Sequence, residues 1–420
     1  MNFGRLHQKL GGEQRLSVLF LNDLGFQYGA GIAELRQIQS FLMLGHEVRA
    51  LCWMDNEESK YPFVPLNSNG RWLGIMALPN IHRDYGLSDE DIINAVVSEI
   101  SKDRPDLIIA GNMHGHSWPL RLLKELQHQG CMVIAFMHDC HYFTGRCTHP
   151  FDCGLFETGC DARCPTADRY PQLVPDKIKK AWDSRREIFC GDSGVFLAAN
   201  SNWTRKMAQR GLPDARDIEV IYLGLDTQMF KPIDRILARR LLGLPQQDFI
   251  ILGGAVNVDD PHKGGSFFAE VVSRLNTNAT VLVFGAESAR LPRIFHTGLV
   301  RDYRKMPLIY SAADLFLATS MAESFGQTFC EASACSIPIV AFEVGGIPEI
   351  ARHQVNAILT PPGDVDALIE SILQLKKDAN QRRVLGEQGR QLVESEFSLE
   401  CQAVRWDSYL KKLSSMEAVV

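Results

Sequence analysis

Short apolar runs alternate with stretches of helical spacing along this chain, and they do so in two separate series. Leu16–Leu21 (LSVLFL), bounded by polar residues, reads as a buried strand. A glycine-containing loop, Gly25 to Gly31, follows. Ile32, Leu35, Ile38, Phe41 and Leu42 then share a helical face, Gly45 ends that helix, and Val48–Trp53 is a second strand. The pattern goes on with strands at Leu107–Ala110, Met132–Met137, Val195–Ala199 and Glu219–Tyr222. Helices at Asp91–Ile100, Leu120–Gln129 and Asn202–Gly211 lie among them. After Pro232 the alternation starts afresh. Phe249–Gly254, Thr280–Phe284, Leu315–Ala318 and Ile339–Phe342 are strands; Ser266–Leu275, Pro307–Ser311, Phe325–Ala334 and Asp364–Lys377 are helices.

Such alternation predicts parallel sheets covered on both faces, hence an α/β chain with two doubly wound, Rossmann-like domains. The expected boundaries are 1–223, 224–400 and a closing helix in 401–420 that crosses back to the first domain. Ligands in this architecture sit beyond the carboxyl ends of strands, so two facing domains would share a central cleft. A length of 420 residues suits two cores. The net charge of −6 argues against a nucleic-acid binder. No apolar run reaches the roughly 18–20 residues of a membrane span, and Met1 to Arg15 lacks the apolar core of a secretory signal. A cytoplasmic location is expected.

The segment Glu323-Ser-Phe-Gly-Gln-Thr-Phe-Cys-Glu331 follows the strand Leu315–Ala318 and opens a helix near Phe325 or Gly326. A helix start is a ready diphosphate site, and Gly326 would let a ligand approach the backbone closely. Glu323 could accept hydrogen bonds from sugar hydroxyls, and Glu331, about a turn and a half inside, from a ribose. The plain alternative is a helix-start Glu and a surface Glu on an amphipathic helix.

The E-S-F-G-x-x-x-x-E-A setting resembles the signature of the retaining glycosyltransferases of family 4, which have the GT-B fold. Asn200-Ser201-x-x-Thr204, the Gly-Leu-Asp226-x-x-x-Phe230-x-Pro232 turn, Lys263-Gly264 and Gly345-Gly346-Ile-Pro348-Glu349 fall in that family's order. So does Gly45-His-Glu-Val, and the resemblance runs from about Leu16 to Leu413. It implies that Glu323 holds the transferred sugar, Glu331 the ribose, and the amides around Phe325, Gly326 and Gln327 the phosphates. Lys263 would neutralise the leaving diphosphate, the work a metal ion does in other transferases. Gly298-Leu299-Val300 matches the base-contacting stretch, and Gly29 and Gly31 the glycine-rich loop facing the diphosphate. His138, closing the strand Met132–Met137, matches the histidine that contacts the transferred sugar. One departure stands out. The Arg that family members often carry after the first strand of this domain is absent from Gly253-Gly-Ala-Val-Asn257-Val-Asp-Asp-Pro-His262-Lys263. Asn257, His262, Arg301 and Arg304 are the candidate substitutes.

Cys147, Cys153, Cys160 and Cys164 crowd one segment, 140–175, that reads as an insertion on the acceptor side. In a reducing compartment four thiolates suggest a structural Zn2+, although the spacings are looser than paired C-x2-C motifs. Buried free thiols and disulfides remain alternatives. The text around them resembles a bacterial exopolysaccharide-type subgroup of the family. Asp176–Phe189 is basic and amphipathic: either a solvated helix or a peripheral contact with the inner membrane face. Asp89-Glu90-Asp91 follows Ser88 and reads as a helix cap rather than a metal motif, so no catalytic metal is expected.

The resulting expectation is a retaining, metal-independent hexosyltransferase. Its donor would be a UDP- or GDP-sugar, its acceptor a saccharide or lipid-linked saccharide in cell-surface polysaccharide synthesis. A nucleotide-sugar-binding scaffold without turnover and a GT-B nucleotide-sugar epimerase are the alternatives.

Overall fold

The computed structural model describes Lys9 and residues 14–26, 28–54, 69–77, 87–115, 118–254, 260–275, 279–285 and 294–417. The chain divides into two compact units, Met1–Gly224 with Gln402–Val420, and Leu225–Cys401.

In the first unit seven strands form one sheet: β1 (Ser17–Leu24), β2 (Glu47–Met54), β3 (Arg71–Ala77), β4 (Leu107–Ala110), β5 (Met132–Met137), β6 (Phe196–Ala199) and β7 (Glu219–Val220). Their order is β3-β2-β1-β4-β5-β6-β7, every pair parallel. Every residue of β4, β5 and β6 is buried, which is why these strands read as unbroken apolar runs. β3 escapes the sequence reading. It is an edge strand, interrupted by Gly74 at a φ of +108°, and its pairing slips register against β2. Ile92, Val96, Leu122 and Leu126 press from their helices onto Leu21, Ile108, Val133 and Ala135 in one core.

The helix Leu399–Glu417 gives its body to this unit. Trp406 is fully buried, its ring 5.2 Å from Phe41 and 5.9 Å from Phe136. Ser40 Oγ donates to Gln402 Oε1 at 2.8 Å.

The second unit holds β8 (Ile250–Gly254), β9 (Thr280–Phe284), β10 (Phe295–Gly298), β11 (Leu315–Ala318), β12 (Ile339–Phe342) and β13 (Ala357–Thr360). Their order is β10-β9-β8-β11-β12-β13, again all parallel. In both sheets the order therefore reverses beside the first strand, between β1 and β4 and between β8 and β11. Crevices at those two points are where such folds bind ligands. β10 and β13 were not expected, nor were the helices Arg235–Leu241 and Ala379–Glu396. The last is polar along most of its length. It packs partly through Gly386, where a Cβ would come within 2.1 Å of the Ser336 carbonyl oxygen.

Candidate functional site

In the second unit the loops leaving β8 and β11 carry Lys263 and Glu323. Lys263 closes a short 3-10 turn, Pro261–Lys263, whose cap Asp260 accepts from the His262 amide at 2.9 Å. This turn is laced to the β11 loop. The His262 carbonyl accepts from the amides of Met321 (2.8 Å) and Ala322 (3.2 Å), and Thr319 Oγ1 donates to the Gly264 carbonyl at 3.0 Å. Gly264 is left-handed, and a Cβ there would meet the Thr319 oxygen at 1.9 Å, so the residue after Lys263 must be glycine. From the other side Gly346 N donates to the Glu323 carbonyl at 2.8 Å. A Cβ on Gly345 would lie 2.0 Å from that oxygen, and one on Gly346 2.2 Å from the Ser324 oxygen. The Gly-Gly-Ile-Pro motif is thus a backbone bed under the Glu323 loop.

Held this way, Lys263 Nζ donates to Glu323 Oε2 at 2.6 Å. Burial alone would lower the lysine's pKa; the charge and hydrogen bond of Glu323 outweigh it and hold it above its usual value. Both residues expected to serve the sugar and the diphosphate therefore meet in one place.

The helix starts at Gln327, with Gly326 as its cap. Gly326 has a φ of +98°, and its absent Cβ would lie 2.7 Å from Phe329 Cδ2, so the backbone conformation itself requires glycine. Phe325 is a core residue packed on Phe397. Glu331 is not a surface residue: it is 8% exposed, and the buried Tyr310 hydroxyl donates to its Oε2 at 3.0 Å. Leu299 stands exposed just past β10. Of the candidate substitutes for the missing Arg, His262 Nδ1 is tied to Asp260 at 2.8 Å and Arg304 to Asp302 at 2.7 Å. Arg301 is exposed, and Asn257 lies outside the described residues.

In the first unit His138 ends β5. The Asn-Ser-x-x-Thr motif explains its placement: Asn200 Nδ2 donates to the His138 carbonyl at 3.0 Å, and Thr204 Oγ1 donates to Asn200 Oδ1 at 2.8 Å. His138 lines a small recess, with room for about one water molecule, together with Gly111, Asn112, Met113, His114, Asp139, His141 and Tyr142. Its Nε2 is buried without a hydrogen-bond partner among the described residues, and burial lowers its pKa to about 4, so the ring is neutral. Beside it His114 Nε2 lies 2.9 Å from Asp139 Oδ2, and His114 Nδ1 lies 3.1 Å from the Tyr170 hydroxyl. Burial opposes the charged form of His114, but the charge and hydrogen bond of Asp139 hold its pKa above the usual value. Burial likewise opposes the Asp139 carboxylate; His114, and the His141 amide donating to Oδ1 at 2.8 Å, pull it below the usual range. His141 is kept neutral by burial and by Arg185.

Sequence reasoning gave no role to His114, Asp139 or Tyr170. Their positions after β4, after β5 and in the Cys-rich segment hinted at it only as polar residues beyond strand ends. The pairing itself is made by the fold across 25 and 56 residues of chain.

Three expectations are corrected or altered. Gly29 and Gly31 do not form a loop; they lie in the first turn of the helix Tyr28–Met43. A Cβ on Gly31 would sit 2.2 Å from the Gly25 carbonyl oxygen, so that glycine serves close packing. Among the described residues no group of three or more His, Cys, Asp or Glu is placed to hold a metal ion, so the Zn2+ reading of Cys147, Cys153, Cys160 and Cys164 gains no support from geometry. Instead Arg146 Nη1 donates to both Cys147 Sγ and Cys164 Sγ at 3.7 Å, while Gly145 N donates to Cys160 Sγ at 3.2 Å. In the helix Pro175–Phe189, Ile178, Ile188 and Phe189 are consumed by the unit's own core, which leaves a charged outer face. Ser88 and Asp91 form a reciprocal capping box, as expected. No described helix is long and apolar enough to cross a membrane.

Comparison with known proteins fits this geometry. Residues 247–378 match the family described as glycosyl transferases group 1. The N-acetyl-alpha-D-glucosaminyl L-malate synthase of Bacillus anthracis is 25% identical over 194 residues, 44% of this chain and 51% of that protein. The D-inositol 3-phosphate glycosyltransferase of Salinispora tropica is 30% identical over 229 residues, 48% of this chain and 45% of that one. The chain thus spans about half the length of these curated relatives. The solved structure of Anabaena Alr3699/HepE in complex with UDP-glucose superposes with a TM-score of 0.69 at 18% identity, covering 96% of this chain and all of that one. The fold is GT-B, two Rossmann-like α/β domains, and the resemblance to family 4 glycosyltransferases drawn from the motifs is borne out.

Proposed function

We propose that this protein is a retaining glycosyltransferase that binds a nucleotide-sugar in its second unit and passes the sugar to a hydroxyl-bearing acceptor. The observation that carries the reading is the Lys263–Glu323 pair, fixed at the point where the strand order reverses, with Glu331 one helix turn further on. Without ligand the two side chains neutralise each other. A diphosphate would take over the Lys263 ammonium, and Glu323 would turn to the sugar hydroxyls. As the bond to the sugar's reacting carbon breaks, negative charge grows on the diphosphate, and a pre-placed ammonium stabilises it more than it stabilises the ground state. The amides at the start of the helix Gln327–Ala334 suit the same phosphates. Glu331, oriented by Tyr310, suits a ribose diol.

UDP as the nucleotide is supported by the UDP-glucose in the HepE structure. A saccharide or lipid-linked saccharide acceptor, and a place in polysaccharide synthesis, rest on the motif resemblance. A thermal-shift panel of UDP, GDP and their sugars tests the reading. A rise in melting temperature with one nucleotide that vanishes in Glu331→Ala is the expected result; no shift with any nucleotide overturns it.

A further inference from the structure

Between β5 and the helix Pro175–Phe189, Arg146 is a buried guanidinium with every arm engaged. Its Nε donates to the Pro171 carbonyl and its Nη2 to the Arg169 carbonyl, both at 2.7 Å, and its Nη1 donates to Thr166 Oγ1 at 2.9 Å. These bonds strap the stretch 164–171 to the residues that follow β5. The same Nη1 also reaches two sulfurs, Cys147 Sγ and Cys164 Sγ, each at 3.7 Å. Two sulfurs on one nitrogen lie within twice that distance of each other, and both are free thiols. They are also unequal. Cys147 is buried, and burial raises its pKa. Cys164 is partly exposed, with its Sγ 3.9 Å from Thr166 Oγ1. Burial opposes the Cys164 thiolate, but the Thr166 amide and hydroxyl and the Arg146 guanidinium outweigh it and hold its pKa below the usual value. The other two thiols of the segment lack this arrangement. Cys160 Sγ accepts from Gly145 N at 3.2 Å, and burial pushes its pKa up to about 12. Cys153 is partly exposed, but the sulfurs that Arg146 touches are those of Cys147 and Cys164.

We infer that Cys164 and Cys147 are a peroxide-sensitive dithiol, in which Cys164 attacks the oxidant and Cys147 then closes a disulfide with it. The Cys164 thiolate sulfur attacks one oxygen of the peroxide; an S–O bond forms, the O–O bond breaks and hydroxide leaves. The sulfur has given up two electrons, the peroxide has taken them, and Cys164 is left as a sulfenic acid. The Cys147 sulfur then attacks the Cys164 sulfur. The S–S bond forms, the S–O bond breaks, and the Cys147 thiol proton leaves with the displaced hydroxide as water. Arg146 also fixes the carbonyls on both sides of Tyr170, whose hydroxyl lies 3.1 Å from His114 Nδ1. The dithiol therefore shares its support with the polar nest beyond β4 and β5. The inference does not depend on the transferase reading.

The full chain, reduced and then freed of reductant, would be treated with hydrogen peroxide, alkylated and digested for mass spectrometry. A peptide joining Cys147 to Cys164, lighter than the two reduced peptides by a pair of hydrogens, is expected. In Cys147→Ser that link is lost, and dimedone, which traps sulfenic acids, labels Cys164. Before oxidation, iodoacetamide at pH 7 should modify Cys164 about threefold faster than Cys153, since a tenfold gain in thiolate is partly offset by the weaker nucleophilicity of a less basic sulfur. The linked peptide and the alkylation rates are both read on the native protein, so a variant that fails to fold does not remove the test. A link from Cys164 to Cys153 or Cys160 instead, no link at all, or equal alkylation of Cys164 and Cys153 would overturn the inference. So would one zinc ion per purified chain with thiols that stay unreactive until it is chelated.

Discussion

The two units repeat one sheet topology and put opposite chemistry at the equivalent point. At the β8/β11 reversal the second unit offers the ion pair Lys263 with Glu323, in which the lysine side chain is still 37% exposed. At the β1/β4 reversal the first unit offers a nest of buried polar groups: Asp139 hydrogen-bonded to His114, and a neutral His138. Lysine next to solvent can exchange its partner for an anion at little cost. A buried His–Asp pair cannot, because separating it strands a charge. Equal folds thus carry unequal pairs, a half-exposed one in the second unit and a buried one in the first. Glu323→Ala should break this contrast at its strongest point. Removing the carboxylate while Lys263 remains should cut transfer by about 10²–10³-fold, the scale of a lost transition-state contact, with melting temperature nearly unchanged. Lys263→Ala should cost as much and also weaken UDP binding. Steady-state rates with UDP-glucose and calorimetric titration of UDP separate the two outcomes.

Stability should distinguish the units as sharply as chemistry does. Trp406→Ala empties a fully buried site between Phe41 and Phe136, and a loss of about 3–5 kcal/mol is expected in the first unit. Limited proteolysis followed by mass spectrometry should then show early cuts in residues of the first unit while 225–401 stays resistant. Equal sensitivity of both units would mean that they unfold as one.

How far could all this be read beforehand? Two Rossmann-like halves were legible because buried parallel strands such as Ile339–Phe342 must be apolar on both faces. The proposed donor residues were legible because spacing around a helix start is local: Glu323, Gly326 and Glu331 are separated by a turn or two of chain. Even the glycines announced themselves, although Gly326 is explained by its left-handed backbone rather than by a ligand, and Gly31 by packing. What stayed hidden was non-local or polar. β3 is an edge strand broken by Gly74, β10 carries too little apolar pattern, and the helix Ala379–Glu396 packs a polar sequence partly through Gly386 and Gly389. His114, Asp139 and Tyr170 meet only after three distant segments fold together. The cysteines are a different case. Their density suggested a metal, yet the fold places a guanidinium beside two of the sulfurs.

Glu34 sharpens the comparison through pH. It is buried within the helix Tyr28–Met43, its Oε2 accepting from Asn22 Nδ2 at 2.8 Å. Burial raises its pKa from 4.5 to about 8; the Asn22 hydrogen bond opposes this, and the charge of Asp23 adds to it. The folded protein keeps this carboxyl protonated where the unfolded chain has released the proton. Its contribution is full below about 4.5 and is lost as pH climbs toward about 8. Glu34→Gln should flatten that decline, gaining on the native protein by a few kcal/mol at pH 8 and by little at pH 5, since each tenfold difference in proton affinity between the folded and unfolded chain is worth about 1.4 kcal/mol. Melting curves across that range decide it, and a pH-independent difference would mean that the carboxyl is ionised in the fold.

The smallest effect tests whether the second unit's helix start is shaped by its backbone or by its ligand. Gly326→Ala places a Cβ on a residue at φ +98° and against the Phe329 ring. The left-handed conformation alone costs a non-glycine residue about 1–2 kcal/mol. If the backbone holds, UDP affinity should stay within about twofold of native while the melting temperature falls by a few degrees. If the loop relaxes instead, the Glu323 carbonyl leaves its bed on Gly346, and Lys263 loses its partner. Affinity for UDP would then rise, because an unpaired ammonium is a better phosphate ligand than one already neutralised. Calorimetry on this one variant therefore reports whether the Lys263–Glu323 pair competes with the donor or merely waits for it.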